Sequence, residues 1–161
     1  MAVPVHRGTF REVFGYFATG VAVVTGAGPD GVTGGLTANA VCSLSLDPLL
    51  VLVCFDRNAR TLPLVRDTKR FAVNVLRAGQ EELAARFASK IPEGEKLSGL
   101  RHHHVQGIPV LDDALAWVVC DLREILPGGD HLIAIGEVTG LHHDDGEPLV
   151  WFRGTYRELA D

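Results

Sequence analysis

Cysteine is scarce in this chain, and its placement excludes two classes of protein. The 161 residues include three cysteines, Cys42, Cys54 and Cys120, too far apart for any C-x-x-C pair. An odd number with that spacing gives neither a disulfide framework nor a zinc ribbon. Each lies in or beside an apolar run and reads as a small buried hydrophobe, which suits a reducing cytoplasm. Long apolar runs are missing too. None approaches the ~20 residues a helix needs to cross a bilayer. Residues 1–11 lack a signal-peptide core, so no membrane attachment is expected. Positive charge is also short: 15 Lys and Arg against 20 Asp and Glu leave a net charge of −5. The arginines are scattered, whereas a phosphate backbone calls for a clustered basic face, so nucleic acid is disfavoured as a partner.

What remains is ordinary globular material, 47% apolar and 22% charged, long enough to close one core. No repeat, linker or low-complexity segment divides it, and residues 1–161 read as one domain.

Residues 9–19 predict a helix capped by Thr9. Phe10, Val13, Phe14 and Phe17 fall at i, i+3, i+4 and i+7, a stripe expected to face the core. Residues 21–25 predict a buried strand. The next six, Gly26-Ala27-Gly28-Pro29-Asp30-Gly31, match the dinucleotide pattern G-x-G-x-x-G. No helical period follows to hold a pyrophosphate, and Pro-Asp-Gly is turn chemistry, so a hairpin is predicted instead. Residues 34–45 are small and polar. Such a stretch lets backbone approach a flat ligand and donate N–H groups to its ring atoms. It equally fits an edge strand softened by glycine.

Residues 49–55 predict a central strand running into Asn58, Arg60 and Thr61. Pro63 then sits in the first turn of a helix that Thr61 would cap. Free N–H groups, the helix dipole and guanidinium make this an anion site suited to phosphate, the other reading being a solvated loop. Residues 71–76 form another strand with one polar intruder, Asn74. Residues 81–89 predict a helix. Ser89 and Lys90 end it, where Lys90 either complements the dipole or reaches a phosphate. Residues 91–107 read as a surface loop and residues 116–126 as a long strand. Six or more strands with two helices and a short helical turn predict a closed antiparallel sheet with helices packed outside.

The histidines divide. His102-His103-His104 points in different directions on any regular element and has no partner at ligand spacing, so a solvated loop is expected and no metal. His142 and His143 suit a polar turn, and His6 a frayed end. His131 differs. Gly128-Gly129-Asp130-His131 carries an acid and an imidazole straight into the apolar strand at 132–138, where polar side chains are poorly explained by packing.

These stretches together resemble the short-chain flavin reductases, the reductase components of two-component flavin-dependent monooxygenases. The carrying residues are 17–25 (Phe-Ala-Thr-Gly-Val-Ala-Val-Val-Thr), 35–39 (Gly-Leu-Thr-Ala-Asn) and 43–48 (Ser-Leu-Ser-Leu-Asp-Pro). Residues 71–76, Gly129-Asp130-His131 and 148–154 follow in the same order. The resemblance spans nearly the whole chain. It implies a mainly β fold, a split β-barrel with a few peripheral helices. It also implies an NAD(P)H:flavin oxidoreductase, working as a homodimer and passing reduced FMN or FAD to a separate oxygenase. Thr37, Ala38, Asn39, Ala40, Ser43 and Ser45 would line the flavin ring. Asn58, Arg60, Thr61, Ser89 and Lys90 would hold its phosphate end. NADH or NADPH would meet the flavin near Asp130 and His131, with His131 the catalytic candidate. Asn74, Phe152 and Tyr156 complete the expected cofactor contacts. The chain departs from the family at Ala40-Val41, where Ser-Phe is usual, and at Pro48-Leu49, where Pro-Pro is usual. The first change removes any hydroxyl contact at position 40. A flavin carrier or sensor without turnover is the rival reading, and Asp130-His131 is the feature it has less need of.

Overall fold

The computed structural model describes residues 1–160. Helix α1 (Arg7–Gly15) is followed by the short strand β1 (Thr19–Gly20). Strands β2 (Ala22–Ala27) and β3 (Thr33–Ala38) form a hairpin around the glycine pattern. The Gly28 N–H donates to the Val32 carbonyl at 2.7 Å, and Gly31 adopts φ +84°, open to a residue without Cβ. A second hairpin joins β4 (Val41–Leu46) to β5 (Leu49–Asp56). Then come α2 (Thr61–Thr68), β6 (Arg70–Val75) and α3 (Glu81–Ala88). Strands β7 (His102–Val105) and β8 (Ile108–Leu111) make a small separate hairpin. The long pair β9 (Ala116–Gly128) and β10 (His131–His143) follows. Last, β11 (Val150–Phe152) pairs with β12 (Thr155–Arg157) and with β1.

Seven strands pair antiparallel in the order β3-β2-β6-β9-β10-β5-β4. The two edge strands, β3 and β4, are consecutive in the chain and joined by Asn39 and Ala40 alone. Such a link spans only about three Cα–Cα steps, so the sheet must curl until its edges meet at one end. The hydrogen-bonded ladder does not close, and the result is the split β-barrel. Val24, Val53, Phe55, Phe71, Val73 and Ala134 fill its interior. Phe55 and Phe71 meet edge to face with centroids 6.5 Å apart. Val23 of β2, with Val21 just before the strand, points the other way into a second cluster with Phe87, Leu97 and Leu149. Both faces of β2 are buried, which explains why Ala22, Val23 and Val24 run together without polar alternation, and the Thr25 hydroxyl is satisfied by the Pro109 carbonyl at 2.6 Å.

Several expectations are corrected. Helix α1 is capped by His6, not Thr9. His6 Nδ1 accepts from the N–H groups of Gly8 and Thr9, and the Thr9 hydroxyl accepts from the His6 N–H. No residue of α1 is buried, and its stripe faces outward, with Phe14 58% and Phe17 70% exposed. No element among the described residues covers it. Arg60, not Thr61, occupies the cap position of α2, and no side chain bonds there. Residues 91–107 hold a 3-10 turn at Glu93–Glu95 and strand β7, while Lys96 and Leu97 are buried. The His102–His104 triplet therefore lies on a strand, and His142 and His143 end β10. Cys54 and Cys120 are sheltered, but Cys42 is exposed on β4. No helix among the described residues is long and apolar enough to cross a membrane.

Candidate functional site

The site begins at the free edge of β3. Gly34 and Gly35 let neighbours come unusually close there. A Cβ on Gly35 would lie 2.8 Å from both the Phe87 ring and the Val24 carbonyl oxygen, and one on Gly34 would collide with the Glu93 carboxylate. The Gly35 N–H and carbonyl both bond away from β2, to Glu93 and Lys96. By the two-residue period of a strand, Thr37 turns its N–H and carbonyl the same way.

That edge walls a cleft of about 800 Å³, within the size range of small-molecule sites. Leu36, Thr37, Ala38, Asn39 and Ala40 form one side. The end of β5 and its turn supply Cys54, Asp56, Asn58, Ala59, Arg60 and Thr61. The end of α3 and the loop beyond it supply Phe87, Ala88, Ser89, Lys90, Glu93 and Lys96, and His131, in register with Asp56 at the end of β5, completes the lining.

Several hydroxyl protons are already committed. Thr37 Oγ1 donates to the Ala84 carbonyl at 2.6 Å, Thr61 Oγ1 to Glu93 at 2.7 Å and Ser89 Oγ to the Arg86 carbonyl at 2.6 Å. Donors for a ligand must therefore come mainly from backbone and from longer side chains. Arg60 is steadied by a 2.9 Å bond from Nη2 to the Ile91 carbonyl. Lys90 forms no ion pair among the described residues. With the first turn of α2 beside them, these cations make one end of the cleft suited to an anion.

His131 opens β10 directly after the tight turn, where Gly129 has φ +72°. The turn is pinned to the end of β5. Arg57 Nε donates to the Gly129 carbonyl at 2.6 Å, and the Arg57 N–H donates to the Asp130 carbonyl at 3.2 Å. His131 Nδ1 lies 2.7 Å from Asp130 Oδ1. The hydrogen bond from His131, followed by the imidazole's charge, holds the Asp130 carboxyl below the usual carboxylate range. With Nδ1 engaged by Asp130, Nε2 is the ring nitrogen left for another molecule.

The other expected contacts lie elsewhere. Ser43 borders a separate apolar hollow with Val41, Val51 and Trp117, and Ser45 Oγ accepts the Asp47 N–H within its own turn. Asn74 is fully buried behind the barrel. It donates to the Val23 carbonyl and Thr25 Oγ1 and accepts the Leu111 N–H, which corrects a ligand role to a core bracket. Phe152 packs edge-on against Tyr16. Tyr156 lines a smaller hollow of about 250 Å³ that shares Thr37, Ala38 and Asn39 with the main cleft. Sequence reasoning missed Cys54, Asp56, Ala59, Phe87, Glu93 and Lys96. No group of three or more His, Cys, Asp or Glu able to hold a metal occurs among the described residues.

A family model described as flavin reductase like domain matches residues 14–160. The chain is 40% identical over 151 residues to a flavin reductase (NADH) of Kitasatospora aureofaciens, covering 92% of this chain and 79% of that protein. It is 39% identical over 153 residues to the reductase component of a 4-nitrophenol 4-monooxygenase/4-nitrocatechol 2-monooxygenase from Rhodococcus opacus, covering 95% and 81%. Among solved structures it superposes on the NADH:FAD oxidoreductase SgcE6 of Streptomyces globisporus C-1027, in complex with NAD and FAD fragments. The TM-score is 0.90 at 34% identity, covering 99% of this chain and 96% of that one.

Proposed function

The chain belongs to the flavin reductase like family, and on that premise we propose that it is an NAD(P)H:flavin oxidoreductase supplying reduced FMN or FAD to a separate oxygenase. One observation carries the reading: a strand edge of small residues, a cationic end and a histidine lip all border one cleft. A flat ring with an anionic tail matches that donor set. The ring lies along Thr37 to Ala40, where glycines and small side chains leave backbone amides within reach. The phosphate end belongs beside Asn58, Arg60, Ser89 and Lys90.

When bound, the flavin supplies the two-electron acceptor for the nicotinamide hydride. The protein's part would be to hold the two rings against each other within the cleft, with N–H groups of the β3 edge stabilising negative charge on the flavin. His131 contacts the nicotinamide side through Nε2, as a binding group first and a proton carrier second. Asp130 fixes the imidazole's orientation.

Residues 1–161 act as one catalytic domain, working as a homodimer. The uncovered face of α1 supports a second copy, as do the exposed Leu44, Leu46 and Leu49 on the hairpin of β4 and β5. Three free thiols support a reducing, cytoplasmic setting. The test is steady-state oxidation of NADH and NADPH by purified protein with FMN and with FAD. Turnover with at least one pair supports the reading, and none with any pair removes it.

A further inference from the structure

The loop between α3 and β7 carries a buried ion pair that the flavin reading leaves without a task. Lys96 is 3% exposed, and its ammonium lies 3.1 Å from Glu93 Oε1. Charges taken out of water are tolerated only when their hydrogen bonds are complete. Here the bonds converge on the cleft walls. Lys96 Nζ donates to the carbonyls of Gly35 at 2.8 Å and Phe87 at 3.1 Å. Glu93 Oε2 accepts the Gly35 N–H at 2.9 Å and the Thr61 hydroxyl at 2.7 Å. Gly35 is thus held by both its outward groups, much as a neighbouring strand would hold it. One carboxylate oxygen takes a bond from β3 and another from the first residue of α2. An apolar pair of similar volume would fill the space at lower desolvation cost, but it would not tie these two walls together.

We propose that the Glu93–Lys96 pair is a positioning element that fixes the spacing between the ring-facing edge of β3 and the phosphate-facing turn of α2. This rests on the flavin reading of the cleft. Ring and phosphate are gripped at once only while that spacing holds, so the phosphate's contribution to affinity depends on the pair.

The experiment compares FMN with riboflavin, which carries the same ring without the phosphate. Binding to wild type, Glu93→Gln, Lys96→Met and the double variant is followed by flavin fluorescence quenching, with circular dichroism reporting folding. Wild type is expected to prefer FMN. In each folded variant that preference is expected to fall about tenfold, as for one lost charge-assisted bond. The double variant leaves no unpaired charge, so it keeps the test available if a single variant does not fold. A merely structural role would weaken both ligands equally, and an unchanged preference in a folded variant overturns the proposal. Wild type that binds neither ligand removes the flavin reading and this proposal with it, a result separate from a preference that survives loss of the pair.

Discussion

Gly35→Ala tests the cleft wall with a single methyl group. The added Cβ would stand 2.8 Å from two groups, and neither yields easily. The Val24 oxygen is backbone of the adjacent strand, and the Phe87 ring is buried against the barrel. Overpacking of this kind costs about 1–3 kcal/mol, while replacing a strand glycine returns about 0.5–1 kcal/mol. The net loss of about 0–2.5 kcal/mol, centred near 1, should lower Tm by about 2–4 °C at its centre for a chain of this length. Gly20→Ala is the control, since a Cβ there meets nothing within 4 Å, and its Tm should hold or rise slightly. The clash also pushes on the edge that presents Thr37, so FMN affinity should fall severalfold in Gly35→Ala and stay level in Gly20→Ala. Thermal unfolding by circular dichroism and fluorescence titration with FMN read both effects. A Gly35→Ala protein as stable as wild type and as tight for FMN would refute the close-approach argument.

Other perturbations separate the parts of the site. His131→Ala should lower kcat/KM for the nicotinamide by about 10- to 100-fold, the range of a lost hydrogen bond to a charged group, with flavin affinity nearly unchanged; equal loss of both would mark a structural histidine. Arg60→Ala and Lys90→Ala should each weaken FMN binding, most at low salt where screening is least, and titrations at two ionic strengths check this. Thiol labelling should find Cys42 fast, Cys54 slow and protected by FMN, and Cys120 inert, because burial raises the Cys54 thiol and pushes that of Cys120 up to about 12. That raised Cys120 value has a sign for stability. Above the unfolded thiol's ordinary range the unfolded chain has lost a proton the folded one keeps, so stability falls as pH rises. Wild type should accordingly lose more Tm than Cys120→Ala between neutral and strongly alkaline pH.

Much of this was legible in the residues. The strands at 21–25, 49–55, 71–76, 116–126 and 132–138 announced themselves as apolar runs, whereas the histidine-rich β7 did not, and the glycine pattern at 26–31 was separable from a dinucleotide fold because no helical period follows it. The site was legible in part, because its order in sequence is not its order in space. Residues 34–45 read as one small-residue stretch, yet the chain turns at Asn39-Ala40 from one sheet edge to the other. Thr37 to Ala40 consequently line the cleft, while Ser43 and Ser45 do not. The stripe on α1 was expected to face the core and lies exposed instead, because a helical period shows that a face is apolar and not what packs against it. Asn74 looked like a ligand contact because a polar residue in an apolar strand has two explanations. Only coordinates show its amide bracketing Val23, Thr25 and Leu111. Glu93 and Lys96 left no signal, since they sit in a loop whose partners are up to 61 residues away.

A cleft that brings a nicotinamide donor to a flavin must let the donor reduce it there. Anaerobic stopped-flow mixing of flavin-loaded protein with NADH, and separately with NADPH, tests it most directly. The flavin's visible absorbance is expected to bleach with at least one donor, at a rate that saturates with donor concentration and falls in His131→Ala. Flavin that stays bound and coloured under both donors would contradict it and leave a holder of flavin in place of a reductase.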